Sequence, residues 1–580
     1  MQTALLAIGS AVFYIVAYNT YGRWLARKIF QLDPTRKTPS EEQEDGVDYV
    51  PSKPAIVFGH HFVSIAGTGP IVGPAIAVIW GWLPALLWTL LGSVFMGAVH
   101  DFGSLVVSLR NRGRSIADLC GSTINARVRA LFHTIIFFEI WIVLAVFCLV
   151  IASVFSMYPS AVFPVWIQIP IAFVIGKIAR KKGVSMTIPA LIALFLMFVS
   201  IFIGVKYPEL QPVFGGKTFS PVLIWTVILL AYCFIVSTLP VQTLLQPRDY
   251  VNALQLVALL ALLFFGIIIV NPVIVAPAVQ LKPQGAPSLF PFLFITIACG
   301  AISGFHSIVS SGVSSKQVSN EKHALPIGYG SMLLEGYLTV LVIIAVTAGI
   351  GIYYKTPKGG VLNGVAAWQT HFSSWGAADT LGKKVGGFVE GGANILQAFH
   401  IPRSFAVALL GVFVTSFAST TLDSATRLQR YVITEFGEAA GVNVLKNRYV
   451  ATGIAVLTAL ILALWDIRCP EGWNFKGCGK GGLMLWPLFG AVNQLLGGLA
   501  LMVVSVWLYR KKKPVWITLI PMIFMIVMTG WAMIVNIRDF YGTPGQIHLF
   551  WIGLIVFALE IWMILETLMI FFKPAIKAGA

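Results

Sequence analysis

The chain has 580 residues, 57% hydrophobic and 11% charged, against about 25% charged in an ordinary soluble domain. Its apolar residues come in runs of about twenty, enough to cross a bilayer, which excludes a soluble fold and predicts an all-α polytopic membrane protein. The net charge of +17 is spread between those runs, as in the cytoplasmic loops of a membrane protein, and argues against a nucleic-acid partner.

About fifteen spans are predicted, near 3–24, 56–80, 83–109, 130–155, 162–178, 186–205, 220–240, 254–272, 289–313, 327–353, 404–425, 449–466, 483–508, 514–536 and 547–571. The run 3–24 reads as a retained N-terminal helix. Basic residues follow it instead of preceding it, and no small-residue cleavage site stands out. The span 162–178 is short and holds Pro164 and Pro170, which suggests a re-entrant segment.

The span 56–80 organises the chain. Gly67, Gly69, Pro70, Gly73 and Pro74 crowd its middle. Proline removes a backbone donor and glycine weakens a helix, so a break is expected there. Lipid tolerates a break only where it is packed in protein or lines a wet cavity, and broken helices near the midplane bind cargo in secondary transporters. A kink that only shapes packing is the alternative. Ser64, Thr68, His60 and His61 flank the break and favour a site. Substrate candidates are therefore Ser64, Ala66, Gly67, Thr68 and Gly69.

A second interrupted span lies at 289–315. Its Phe305, Ser307, Ile308 and Gly312 repeat the spacing of Phe62, Ser64, Ile65 and Gly69. Gly304 and Ser307 join the substrate candidates. The two broken spans run in opposite directions, as inverted repeats require. Six predicted spans separate them, whereas a ten-helix inverted-repeat core holds four, so two would be insertions. The stretch 354–403 forms the longest external segment, with short helices over an outer vestibule.

Hydroxyls of Thr415, Ser416, Ser419 and Thr420 recur at three- and four-residue steps on one helix face. They suit a small hard cation such as Na⁺ or, equally, interhelical hydrogen bonds.

A charge at mid-bilayer costs on the order of 3 kcal/mol or more, so each one is a functional candidate. His60, His61, Asp101, Glu139 and Glu335 are proton-relay candidates, with His100 and His306 beside them; structural pairing is the alternative for each. Glu560, in the last helix, reads as peripheral. Cys469 and Cys478 share one loop and form a candidate disulfide if that loop faces an oxidising compartment. That loop offers too few ligands for a metal.

With an odd number of crossings, the basic clusters at Arg23–Lys28, Arg110–Arg129, Lys177–Lys182, Lys316–Lys322, Arg427–Arg448, Arg510–Lys513 and Lys573–Lys577 all fall on one side. The N-terminus is then outside and the C-terminus cytoplasmic. No phosphate-cradling loop and no His-Glu-x-x-His motif occurs, so no cofactor, no resident metal and no enzymatic activity are expected. Two rivals remain: a ligand-gated channel or nutrient sensor, and a membrane metalloenzyme using His60, His61 and His100.

The stretches FGHHFVSIAGTGPIVGPAIA (58–77), GAVHDFGSL (97–105), RNRGRSIADL (110–119), SGFHSIVSSG (303–312) and TSFASTTLDSATR (415–427) resemble the carbon starvation protein A (CstA) family of bacterial and archaeal inner-membrane transporters. The resemblance covers most of the chain. It implies import of small carboxylate-bearing nutrients (peptides, amino acids or pyruvate) under carbon starvation, coupled to H⁺ or Na⁺. It also implies a LeuT-like inverted-repeat core over 56–508 within a single membrane domain, 1–580, followed by two C-terminal helices over 514–571. It strengthens Thr415 and Ser416 as a cation site. Proton-coupled relatives put a basic side chain near that site instead. Neither 186–205 nor 220–240 holds a Lys or Arg in its middle, which leaves the coupling ion open.

Overall fold

The computed structural model describes residues 3–572 apart from 124, 180–186, 213, 215–218, 357–358, 379 and 466–480. The candidate disulfide of Cys469 and Cys478 lies outside the described residues. Among the described residues, twelve helices are long and apolar enough to cross a membrane, thirteen with one bent pair counted as a single span.

In chain order the main helices are α1 (Thr3–Ile29), the bent pair α2 (Pro54–Ile65) and α3 (Gly69–Trp80), α4 (Trp82–Leu109), α5 (Ala126–Met157), α6 (Pro159–Ile178), α7 (Thr187–Lys206), α8 (Pro221–Thr238) and α9 (Leu245–Val270). They continue as α10 (Leu289–Thr296) and α11 (Gly304–Gly312), then α12 (Glu321–Gly349). A two-stranded hairpin of β1 (Tyr354–Lys355) and β2 (Val361–Leu362) and short helices lead to α13 (Leu381–Leu396). The chain closes with α14 (Arg403–Ala440), α15 (Arg448–Ala463), α16 (Gly481–Arg510), α17 (Trp516–Gly542) and α18 (Ile547–Phe572).

At the other two expected spans the helices are shorter, the interrupted α10–α11 and the 16-residue α15, so membrane-length helices among the described residues do not reach the expected count of about fifteen. The re-entrant reading of 162–178 does not hold. Residues Val162–Ala179 form one helix through Pro170. Pro164 sits in its first turn, where a missing N–H is harmless.

Burial sorts the helices into layers. α5, α14 and α16 are buried over most of their length, which places them at the centre, α14 although it carries the polar stretch 415–427. α1 buries Ala7, Ser10 and Tyr14 but exposes Leu5, Val12 and Ile15. α17 and α18 likewise expose Ile520, Ile523, Trp551 and Leu565. These apolar outer faces are what a lipid-facing layer requires.

Both expected breaks exist. α2 ends at Ala66, whose φ −76° and ψ 49° leave the helix. α3 restarts at Gly69 with a proline in its first turn, and the pair bends by 41°. In the second span the chain leaves α10 at Ile297 (φ −92°, ψ 73°) and re-enters at Ser303 (φ −136°, ψ 129°). Ala66, Thr68, Ile297, Ala301, Ile302 and Ser303 are all 0% exposed. Neither break faces the outer surface.

The two broken spans touch. A Cβ on Gly69 would lie 2.3 Å from Cys299 Sγ, and one on Gly73 would lie 2.2 Å from the Thr296 carbonyl oxygen. Only glycine permits this approach, and it brings the interrupted backbones to one place in the core.

Candidate functional site

The first break rests on α14. Thr421 Oγ1 donates to the Ser64 carbonyl oxygen at 3.1 Å, and the Ser64 and Ser424 hydroxyls lie 3.0 Å apart. Gly67 packs where a Cβ would meet Thr421 Oγ1 at 2.6 Å. Thr68 Oγ1 is buried with no protein partner. Ser64, Ala66, Gly67, Thr68 and Gly69 therefore do come together. Thr421 and Ser424, which meet them, belong to the polar stretch noted in the sequence but lie on a neighbouring face.

The face read as a cation site behaves differently. Thr415 donates to the Gly411 carbonyl at 2.8 Å, Ser419 to Thr415 at 2.8 Å and Thr420 to Ser416 at 3.0 Å. Such bonds back to the helix's own carbonyls are the ordinary use of a mid-helix hydroxyl. Thr420 also accepts from Asn252 Nδ2 at 3.1 Å, while Ser416 Oγ is buried without a partner.

At the second break α16 supplies the contacts. Asn493 Oδ1 accepts from Ser303 Oγ at 3.0 Å and from the Phe305 N–H at 2.9 Å. It thereby takes up a donor at the start of α11, where N–H groups lack helical partners. Gly304 lies against Asn493 and Leu496, and Ser307 Oγ donates to the Gly304 carbonyl at 2.7 Å. Gly304 and Ser307 thus pack on α16 within this break.

The buried ionisable groups form two networks. In the first, Asp101 lies between two imidazoles. His100 Nδ1 is 2.7 Å from its Oδ1 and His306 Nδ1 is 3.0 Å from its Oδ2. His306 Nε2 lies 3.5 Å from Glu335 Oε2. His100, Asp101, His306 and Glu335 are each 0% exposed and span α4, α11 and α12. Both long helices carry π turns within two turns of these groups, at Ser93–Gly97 in α4 and at Leu325–Gly330 in α12. Such turns recur at functional positions.

The second network centres on Arg248. It pairs with Asp423 and with Asp249, and donates to the Tyr232 hydroxyl at 2.8 Å. Asp249 Oδ2 meets His60 Nδ1 at 2.5 Å. Arg248 is 2% exposed. The sequence reading missed it by starting that span near 254, when α9 begins at Leu245. The signal was the charged pair Arg248-Asp249 directly ahead of an apolar run.

Not every relay candidate joins a network. His61 Nδ1 is 2.8 Å from Ser314 Oγ. Both Glu139 oxygens are buried without a partner. His60, His61 and His100 go to three different partners, and the described residues contain no group of three or more His, Cys, Asp or Glu able to hold a metal. The metalloenzyme reading thereby loses its cluster.

One end of the bundle is closed by the segment that precedes α2. Asp48 accepts from Arg427 Nη1 at 2.8 Å and from the Tyr431 hydroxyl at 2.6 Å, with Arg430 at 3.5 Å. Burial pushes the Asp48 carboxyl up. Arg427, Arg430 and the Tyr431 bond outweigh burial and hold it below the usual carboxylate range. Val50 and Ser52 donate their N–H groups to the carbonyls of Lys316 and Gln317, both at 3.0 Å. The other end opens into a cavity of about 590 Å³ floored by Ile76 and Thr296.

The family model for carbon starvation protein CstA matches residues 2–532. The peptide transporter CstA of Campylobacter jejuni is 33% identical over 92% of this chain and 80% of its own length. The pyruvate/proton symporter BtsT of Escherichia coli is 32% identical over 91% of this chain and 81% of its own length. Among solved structures, MhsT in complex with L-phenylalanine aligns with a TM-score of 0.46 at 12% identity, covering 82% of this chain and 98% of that one. A manganese transporter from Eremococcus coleocola aligns at 0.47 and 14%, covering 90% and 98%. The protein is a multi-pass membrane transporter rather than an enzyme. With the family model spanning nearly the whole sequence and these identities sustained over nine-tenths of it, the chain belongs to the carbon starvation protein CstA family.

Proposed function

We propose that this chain is a secondary active importer of carboxylate-bearing nutrients, peptides or pyruvate, driven by the proton gradient and serving carbon-starved cells. The observation that carries the reading is the meeting of two buried, interrupted helices at Gly69 and Cys299. Interrupted backbone deep in a bundle presents polar groups to cargo at the pivot of alternating access.

Proton coupling is favoured over sodium by Arg248. Its guanidinium lies between α9 and α14, paired with Asp423 on the helix that carries Thr421 and Ser424. The guanidinium already occupies the Asp423 and Asp249 carboxylates, the anionic ligands a Na⁺ ion would need there. The His100–Asp101–His306–Glu335 chain supplies adjacent buried groups able to accept and hand on a proton. The pyruvate/proton symporter among the relatives agrees with this choice.

In this reading the transport core runs over 56–508. α8 packs on α5, α14 and α15, and α9 packs along α2. These two, with α4 and α5, serve as the four core helices between the breaks, and α6 and α7 are the insertions. The N-terminus is outside, so the Asp48 segment closes the cytoplasmic end of an inner-membrane protein.

The test is uptake into proteoliposomes under an imposed pH gradient or an imposed Na⁺ gradient, with pyruvate and trialanine as probes. Accumulation against a concentration gradient under the pH gradient alone is expected. Accumulation that requires Na⁺ at uniform pH would reject proton coupling. Equilibration without accumulation would make the protein a channel, and binding without passage a sensor.

A further inference from the structure

A groove of about 360 Å³ runs between α1 and α12, with Ala11 and Ile15 on one side and Leu333 and Leu334 on the other. It lies on the outer, apolar face of α1, where Ile15 is 62% exposed. Two of its tyrosines are engaged. The Tyr14 hydroxyl meets Ser93 Oγ at 3.0 Å, and Tyr337 donates to the Ala7 carbonyl at 3.4 Å. The third, Tyr18, has no hydrogen-bond partner for its hydroxyl among the described residues, and the charge of Arg23 acts on it. Arg23 also follows the lining residue Asn19 by four positions, about one helical turn. Arg23, Arg27 and Lys28 are exposed, and no acidic side chain among the described residues pairs with them. Beside them Trp24 stacks on Tyr21, with ring centroids 5.7 Å apart, and Trp516 lies 6.4 Å from Trp24. Exposed tryptophans mark the depth of lipid headgroups.

An apolar slot on a lipid-facing surface is filled by hydrocarbon, because its walls gain dispersion contacts that a void denies them. What distinguishes this slot is the end it runs to. Three unpaired cations and a free hydroxyl stand there at headgroup depth, and a basic cluster at the end of a membrane helix draws anionic lipid. The ligand therefore has a hydrocarbon body and an anionic head. A second copy fits poorly: a twofold interface at this groove would set one basic cluster beside its twin, and like charges so placed repel.

We propose that this groove binds an anionic glycerophospholipid, with one acyl chain between α1 and α12 and the phosphate held by the Arg23–Lys28 cluster and the Tyr18 hydroxyl. Gly330, the last residue of the π turn in α12, also lines the groove. The lipid thus braces α1 against the helix that carries Glu335. The site is independent of what the protein carries.

The experiment titrates the purified full chain, stripped of lipid in detergent, with dioleoyl phosphatidylglycerol or dioleoyl phosphatidylcholine and counts bound lipids by native mass spectrometry. Wild-type protein is expected to take one phosphatidylglycerol about tenfold more tightly than phosphatidylcholine, and to unfold at a higher temperature with it. The triple variant Arg23→Gln/Arg27→Gln/Lys28→Gln weakens that binding about tenfold or more, whereas Arg23→Lys/Arg27→Lys keeps most of it. Ala11→Trp fills the slot, leaves the cations in place and loses the tight lipid; Leu334→Trp does the same from α12. Unfolding temperatures that match wild type in the absence of lipid show that the variants fold. Equal affinity of wild-type protein for the two lipids would overturn the proposal. So would phosphatidylglycerol binding that is indifferent to the triple variant or to both tryptophans. Tight binding of oleate or of glycerol phosphate in place of phosphatidylglycerol would overturn it too. A dimer that the tryptophans dissociate would give the groove to a second copy instead.

Discussion

His306 on α11 and Asp101 on α4 are joined at 3.0 Å, Nδ1 to Oδ2, with neither side chain exposed. The bond ties a half-helix of the second broken span to a helix of the first half of the chain. If α11 moves during transport, this contact must break or travel with it. Its strength depends on the protonation of the imidazole, since a charged donor makes a markedly stronger bond. Asp101→Asn is therefore expected to lower pH-driven uptake at least tenfold and flatten its pH dependence, while substrate exchange at uniform pH survives. Counterflow and gradient-driven uptake in the same proteoliposomes separate the two. A pH profile unchanged from wild type would clear Asp101 of coupling.

Gly69→Ala should be nearly as damaging as a larger residue. Its Cβ would lie 2.3 Å from Cys299 Sγ, and overpacking of this kind costs about 1–3 kcal/mol. Uptake is expected to fall at least tenfold with the protein still in the membrane. Adding Cys299→Gly removes the colliding atoms and should restore a measurable part of it. Uptake assays with surface quantification of both variants check this.

Arg248 and Asp423 form a pair whose side chains are only 3% and 1% exposed. Removing one partner leaves a lone charge inside the bundle and costs about 3–5 kcal/mol. Arg248→Met should lower the unfolding temperature in detergent more than the double variant Arg248→Met/Asp423→Leu does. If sodium takes the vacated charge position, the single variant should also gain stability from added NaCl relative to KCl. Thermal unfolding by a thiol-reactive dye reads both effects.

The Asp48 contacts set a pH window. Arg427, Arg430 and Tyr431 depress the Asp48 carboxyl against the pull of burial. A depressed carboxyl stabilises the closed end above its ordinary pKa of about 3.9 and loses that contribution only as pH falls through the lower folded value. Closure should therefore be indifferent to pH between about 5 and 8. Labelling of Ser52→Cys by a water-soluble maleimide, taken relative to an exposed cysteine at the same pH to remove the thiolate dependence, should be slow with a ratio that is flat across that range, and about tenfold faster with Asp48→Asn.

The breaks were legible because glycine and proline declare themselves locally, and Gly67 to Pro74 allowed little else in lipid. The layering was not legible, since α1 and α5 are both apolar runs and only packing buries α5 while leaving Leu5 and Ile15 of α1 exposed. The partners of the breaks were hidden. Thr415 and Thr421 sit in one polar stretch, and only the rotation of α14 against α2 decides which one meets Ser64. Arg248 was missed because hydropathy places a charged turn in a loop, whereas burial with Asp423 keeps it inside the helix. Pairings such as Asp101 with His306 join residues far apart in the chain, and spacing carries no record of them.

Asp48 and the first turn of α2 are neighbours in the chain, with only Tyr49 to Lys53 between them. The residues that seal one mouth are thus a short tether on the half-helix that runs into the first break. Pulling the latch loose tugs that half-helix, and swinging the half-helix draws the latch. Lengthening the tether by a few glycines should leave both parts intact yet let them slip past each other, so that the protein leaks where it once pumped.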